Sequence, residues 1–218
     1  MEISFIGHSC FKIKGKNATL VIDPYNPEKT GYKLPKLEAD VVLCSHQHGD
    51  HNHIAGVDGT HYDITTAGEY EVKDVYIEGI PTFHDEKHGA DRGQNIMYQI
   101  TMDGLNLLHV GDLGHELSQE TLEKLVEIDV LMIPVGGTYT IDAETATKVI
   151  SSIEPGIVVP MHYSTKNTSG VLAALDPLQK FLDEMGVEGA KEVDKLKVSS
   201  KADIPEETEV IVVTPAQQ

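Results

Sequence analysis

Seven consecutive residues, Ser45 to His51 (SHQHGDH), carry three imidazoles and a carboxylate, and they follow directly on the apolar run Val41-Val42-Leu43-Cys44. A continuous apolar run between polar flanks reads as a buried strand. The chain must therefore fold so that this strand is covered and its C-terminal end opens onto a dense group of titratable side chains. Within that group His46, His48, Asp50 and His51 form the pattern HxHxDH. Residues at i and i+2 on a strand end face the same way, so His46 and His48 can hold one metal together. Beyond the Gly49 turn, Asp50 and His51 point elsewhere and can serve a second metal. The competing reading is a histidine-rich surface loop; the buried strand before the cluster and matching groups downstream weigh against it.

Those groups stand at the ends of other predicted strands, where open α/β sheets place their sites. His84 follows IEGIPTF, Asp112 follows NLLHVG and His162 follows IVVPM. Each alone can be a turn cap or a core hydrogen-bonding group. Taken with HxHxDH they complete two sets of three, His46/His48/His84 and Asp50/His51/His162, with Asp112 between them as a bridge. Five imidazoles and two carboxylates suit two divalent cations, Zn²⁺ first and Mn²⁺, Ni²⁺ or Fe²⁺ as alternatives. Such ions bring the pKa of bound water to about 7, which predicts hydrolysis of a small ester, lactone or phosphoester.

The order HxHxDH, later His, later Asp, final His resembles the metallo-β-lactamase fold superfamily over essentially the whole chain. The strings GHSCF, VIDP and FHDEKHGADRGQN are similar to the lactonase-like branch typified by ascorbate-6-phosphate lactonase. The resemblance implies an α/β fold, a four-layer αββα sandwich, with metals at one edge. Superfamily members that run di-iron redox chemistry typically carry Glu at the second motif position; this chain has His48 there, which implies hydrolysis. RNA-cleaving members usually add domains or an arm, and secreted β-lactamases a leader; neither is read here. The resemblance also implies a catalytic role beside Asp50 for His8, as a hydrogen-bond donor or proton shuttle at the rim of the site. The alternative is a turn histidine bonded to backbone.

The 218 residues fit one domain spanning 1–218, and 40% hydrophobic with 24% charged residues is globular composition. Strands are predicted at ISFIG, CFKIK, ATLVID and VVLC, and near residues 64–66, 75–80, 96–101, 105–110, 130–133, 157–160 and 209–213. Helices are predicted after Ser118, over 142–153 and over 171–185. A net charge of −18 repels phosphate backbones and anionic membranes, disfavouring nucleic acid as partner. A small-molecule substrate is expected, and a homo-oligomer is left open. Two cysteines without CxxC spacing, no membrane-length apolar run and no leader-like start predict a soluble cytoplasmic protein.

Arg92, Asn95 and Lys166 are candidates for holding a substrate carboxylate or phosphate; ordinary surface charge and strand capping are the alternatives. His53, His61 and His88 read as exposed loop residues, His109 as a buried, hydrogen-bonded core histidine or a support for Asp112, and His115 as a residue that can approach the site. No GxSxG, HExxH, GxxxxGK[ST] or GxGxxG occurs. The competing functions are a phosphodiesterase or nuclease of the same fold and a non-catalytic metal-binding protein.

Overall fold

The computed structural model describes residues 1–216. Its strands are β1 (Glu2–Gly7), β2 (Cys10–Lys14), β3 (Thr19–Ile22), β4 (Leu37–Glu38), β5 (Val41–Leu43), β6 (Val57–Asp58), β7 (Tyr62–Ile64), β8 (Gly68–Val72), β9 (Val75–Phe83), β10 (Gln94–Met102), β11 (Leu105–His109), β12 (Val130–Pro134), β13 (Ile157–Met161), β14 (Lys191–Val193), β15 (Leu196–Lys197) and β16 (Glu209–Val213). The α-helices are α1 (Pro27–Thr30), α2 (Gln119–Leu122), α3 (Ala143–Ile153) and α4 (Leu178–Glu184).

One sheet has the order β15-β1-β2-β3-β5-β7 and the other β14-β16-β13-β12-β11-β10-β9-β8. Antiparallel meanders, β1-β2-β3 and β8-β9-β10-β11, pass into parallel pairs in both sheets. Side-chain alternation sorts the first sheet cleanly. Ile3, Phe5, Phe11, Ile13, Leu20, Ile22, Val41 and Leu43 join the main core with residues of the second sheet, such as Ile77, Ile100 and Leu107. Their alternates Ile6, Cys10, Val21 and Val42 form a separate cluster with Tyr25, Tyr32, Leu37 and Val57.

The expected αββα sandwich is present, with unequal outer layers. α3 is the crossover between parallel β12 and β13, buries Ala143, Ala146, Val149 and Ile150 and packs on α4. Over the first sheet, the single-turn α1 and the aromatic residues of the 24–39 loop do the covering.

Two predicted helices are shorter than expected. The 171–185 segment is a 3₁₀ turn (Gly170–Ala174) followed by α4, because Pro177 biases the residue before it away from helical geometry. The helix after Ser118 is the one turn of α2, capped by the Ser118 hydroxyl accepting from Thr121 N–H. Asp142 caps α3 in the same way.

The C-terminal ends of β3, β5, β9, β11 and β13, together with the β1–β2 turn, gather at one edge of the sandwich. Polar contacts join the sheets there. The Tyr98 hydroxyl donates to Cys44 O at 2.8 Å, His109 Nε2 donates to Ser9 O at 3.0 Å, and His162 N–H donates to His8 O at 2.8 Å.

Candidate metal centre

β5 stops at Leu43, and Cys44 through His51 is a series of bends and turns. His46 and His48 thus project from a loop rather than from strand positions, yet they converge as the spacing predicts, with ring centroids 4.6 Å apart. His84, one residue past β9, lies 4.8 Å from the His46 ring and 5.2 Å from the His48 ring. Donor atoms of His46, His48 and His84 all fall within 4.8 Å of one another, and so do those of His8, Asp50, His51 and His162. Asp112 Oδ2 stands between the two groups, 3.1 Å from His84 Nε2, 3.2 Å from His51 Nε2, 3.4 Å from His162 Nε2 and 3.8 Å from His46 Nε2.

The Asp112 turn is built by close approach. Gly111 has φ 58°, and a Cβ there would lie 2.4 Å from Asn95 Oδ1 and 2.6 Å from Ser45 Cβ, so glycine is required. Asn95 Oδ1 accepts from Asp112 N–H at 2.9 Å, while its amide donates to Thr82 Oγ1 and Val110 O. His109 Nδ1 accepts from Gly111 N–H. Asn95 and His109 therefore position the Asp112 backbone.

Two residues of the centre escaped the sequence reading. Asp23, fully buried at the end of β3, accepts from Ser45 N–H and Ser45 Oγ–H, both at 2.7 Å, and from His51 Nδ1–H at 3.0 Å. With its own proton on Asp23, Ser45 Oγ accepts from His46 Nδ1–H at 2.9 Å. One carboxylate thus fixes the tautomer of a histidine in each set and turns both Nε2 lone pairs inward. The signal that would have found Asp23 is the one that found Asp112, an acid directly after an apolar strand.

A sequence model of the beta-lactamase superfamily domain matches residues 2–162. A metal-dependent hydrolase from Thermococcus onnurineus is 33% identical over 193 residues, 76% of this chain and 85% of the relative. A metal-dependent hydrolase from Methanoculleus marisnigri is 32% identical over 190 residues, 76% of this chain and 82% of the relative. A metallo-β-lactamase superfamily structure from Thermotoga maritima superposes with a TM-score of 0.81 at 36% identity, covering 97% of each chain. The chain belongs to the metallo-β-lactamase superfamily. Its place is among the metal-dependent hydrolases of that superfamily.

The superfamily's dependence on metal fits the residues present. His46 Nε2 and Asp112 Oδ1 are buried with no hydrogen-bond partner, an arrangement that is costly unless something binds there. Imidazole and carboxylate donors with no thiolate among them suit a divalent cation of intermediate hardness.

In the metal-free protein these groups compete for protons. Burial lowers His46 to about 3, with the charge on His51 adding to it, and burial lowers His8 to about 4, with His162 adding to it. Burial opposes a charged His51 and a charged Asp112, but neighbouring charges outweigh it: Asp112 and Asp23 raise His51 well above the usual histidine range, and His162 and His51 hold Asp112 well below the usual carboxylate range. Burial also opposes ionisation of Asp50, and the His8 hydrogen bond with the His51 charge outweighs it, so the Asp50 carboxyl is lowered. A protonated His51 thus supplies positive charge that the three carboxylates around it, Asp23, Asp50 and Asp112, demand.

The centre forms the floor of a cleft of about 290 Å³ lined by His48, Asp50, His84, Asp91, Arg92, Asp112, Tyr139, His162 and Leu172. Arg92 Nη1 donates to Tyr139 O at 3.2 Å and its guanidinium stands 5.2 Å from the Tyr139 ring centroid. Asp85 organises this loop, its carboxylate accepting from Lys87, Gly89, Asp91 and Arg92 N–H groups. The other two candidates for substrate contact lie elsewhere. Asn95 is buried and saturated by protein, because its side chain faces inward from the start of β10. Lys166 is exposed and stands outside the cleft lining.

His115 does not reach the centre: its Nε2 accepts from Phe83 N–H and its Nδ1 donates to Glu116 O. Of the three histidines expected to be exposed, His88 is, while His53 and His61 are half-buried. Cys10 and Cys44 are buried and unbridged.

Proposed function

We propose that this chain hydrolyses a small anionic ester, lactone or phosphoester with two divalent cations, zinc in the first instance, held by His46/His48/His84 and by Asp50/His51/His162 with Asp112 shared. The observation that carries the reading is the convergence of both sets on one Asp112 oxygen at the floor of a 290 Å³ cleft. Bound divalent cations supply Lewis-acid polarisation of the scissile group and an activated water at neutral pH.

The chain's own residues supply position and charge. Arg92 is held over Tyr139 by its side chain and by Asp85 through its backbone, which presents a planar fork to a carboxylate or phosphate. Asp50 lines the cleft and is kept ionised, so its carboxylate is placed to take up a proton released during hydrolysis. A second groove of about 480 Å³ adjoins the first through His48 and Arg92, with Ser45, Gln47, Thr65 and Gln94 in its walls, and gives a polar leaving group room to lie. The −18 charge favours small substrates over nucleic acid. Two unbridged buried cysteines support the cytoplasm. Among the described residues no helix is long and apolar enough to cross a membrane.

Elemental analysis of protein purified without added metal, paired with turnover of an aryl ester, a lactone and bis(p-nitrophenyl)phosphate before and after chelation, tests this. Two ions per chain and turnover that disappears with the metal and returns with Zn²⁺ are expected. Turnover that survives complete metal removal overturns the reading.

A further inference from the structure

His8 sits in the Gly7-His8-Ser9 connection between β1 and β2, where the backbone is tightly constrained. Gly7 has φ 137°, and a Cβ on it would lie 2.7 Å from the Tyr32 ring. His8 itself has φ 57°, a left-handed conformation that glycine adopts freely and that is uncommon for a residue with a side chain. The conformation is clamped by His162 N–H donating to His8 O. A non-glycine residue held in this region against a candidate site points to a side chain that the position requires.

That side chain is 1% exposed and is not among the residues lining the cleft. Its Nε2 lies 3.2 Å from His51 Nε2 and 3.3 Å from Asp50 Oδ2, and its ring stands 4.3 Å from the His162 ring. His8 Nδ1 has no hydrogen-bond partner, a property shared with His84 and His162; all three imidazoles send Nε2 into the cluster. Because His51 Nδ1–H is committed to Asp23, a neutral His51 directs a lone pair at His8 Nε2. With His51 deprotonated, as ligation requires, two imidazole lone pairs and a carboxylate oxygen converge within 3.8 Å of one another, and a cation between them satisfies all three.

We propose that His8 is a protein ligand of the second cation, which is then held by four side chains of its own, His8, Asp50, His51 and His162, besides the shared Asp112. The proposal rests on the two-cation reading above and makes its two sites unequal. Counting the shared Asp112, the second site has five protein ligands and the His46, His48 and His84 site has four, so the first site is the one with more room for a further ligand. The role the sequence suggested for His8, a hydrogen-bond donor or proton shuttle at the rim, would have to act through Asp50, because His8 itself does not line the cleft.

The test uses the full chain, stripped of metal and titrated with Zn²⁺ alone against a chromophoric chelator. Wild type takes up two ions in two resolvable steps. His8→Asn, chosen because Asn tolerates the left-handed backbone, weakens the tighter step by at least about 100-fold, the upper end of what loss of an outer-sphere partner does, and leaves the weaker step within about threefold. His48→Ala weakens the weaker step instead.

A second measurement needs no change at residue 8. Zn²⁺ X-ray absorption on His48→Ala at one equivalent reports three imidazoles if His8 ligates and two if it does not. Both steps unchanged in His8→Asn, or two imidazoles in the absorption spectrum, overturns the proposal while the two-cation reading stands. A wild type that binds fewer than two ions overturns both.

Discussion

Both ends of the sandwich contain non-glycine residues in left-handed conformation, and the two ends use them differently. Away from the cleft, Lys73 (φ 51°) and Asp74 (φ 61°) form the two-residue turn between β8 and β9, and Asp103 (φ 55°) with Gly104 turns β10 into β11. In a two-residue hairpin, positive φ at both positions matches the strand twist, so the turn is locally favourable. Lys73 and Asp74 are exposed, and no buried group depends on where their side chains point. At the cleft end His8 (φ 57°), Asp23 (φ 49°) and His162 (φ 53°) adopt the same conformation directly after strands, and all three are buried. There the backbone angle aims a polar side chain into the centre, and the strain is held in place by contacts such as the His162–His8 clamp. The same dihedral is thus a reversal device at one end and an aiming device at the other.

If the cleft end depends on aim, Asp23→Ala is the change with the largest effect. It strands two Ser45 donors and the His51 Nδ1–H. Metal content should fall, turnover should drop by at least about 100-fold, and urea unfolding of the metal-free protein should show a loss of about 3–5 kcal/mol. An Asp23→Ala protein with unchanged metal content would remove the aiming interpretation.

The pH response comes next. Folded His8 is lowered from 6.5 to about 4, so between those values the unfolded chain binds a proton that the folded chain refuses. The stabilisation is complete above pH 6.5 and is lost as pH falls towards 4, amounting to about 3 kcal/mol for this group. Denaturant titrations of metal-free wild type and His8→Asn across that window should diverge with the variant less pH-sensitive, and parallel curves would count against a buried neutral His8.

Gly111→Ala sharpens the comparison from the backbone side. Its Cβ meets Asn95 and Ser45 at 2.4–2.6 Å in a left-handed position, so a loss of about 2–3 kcal/mol is expected in thermal or chemical unfolding. The smallest effect belongs to the far end. Asp74→Gly preserves the turn geometry and should shift stability by less than about 0.5 kcal/mol with no change in metal content; a larger shift would show that the far turns are not the permissive element described.

What could be read from the sequence was what neighbouring residues decide among themselves. β2 and β16 match their predicted ranges, and α3 starts one residue after its Asp142 cap, because alternation and capping act over a few positions. The seven candidate ligands were legible because each stands beside an apolar strand. β8 went unseen: Gly68–Val72 is an edge strand of mostly exposed residues, and its turn, Lys73-Asp74, lacks the glycine that marks such hairpins. Asp23 as the organiser of two histidines, Asn95 as a support for Asp112 rather than a cleft residue, and the direction of the His8 ring all depend on which strands become neighbours, a matter of tertiary contact. At α4 the apolar spacing of 171–185 continues through Pro177, but the proline divides the segment and the helix starts at Leu178.

The contacts that close the sandwich edge also set a timetable. Ser9 is held by His109, a hundred residues further along the chain, and His8 by His162 further still. A chain made from its N-terminus completes HxHxDH well before Asp112 and His162 are synthesised. During that interval the early histidines are exposed to whatever cations the cell offers, without the partners that would discriminate among them. Any cation that depends on both sets of ligands can therefore be selected only after synthesis of residue 162, by the assembled edge rather than by the motif.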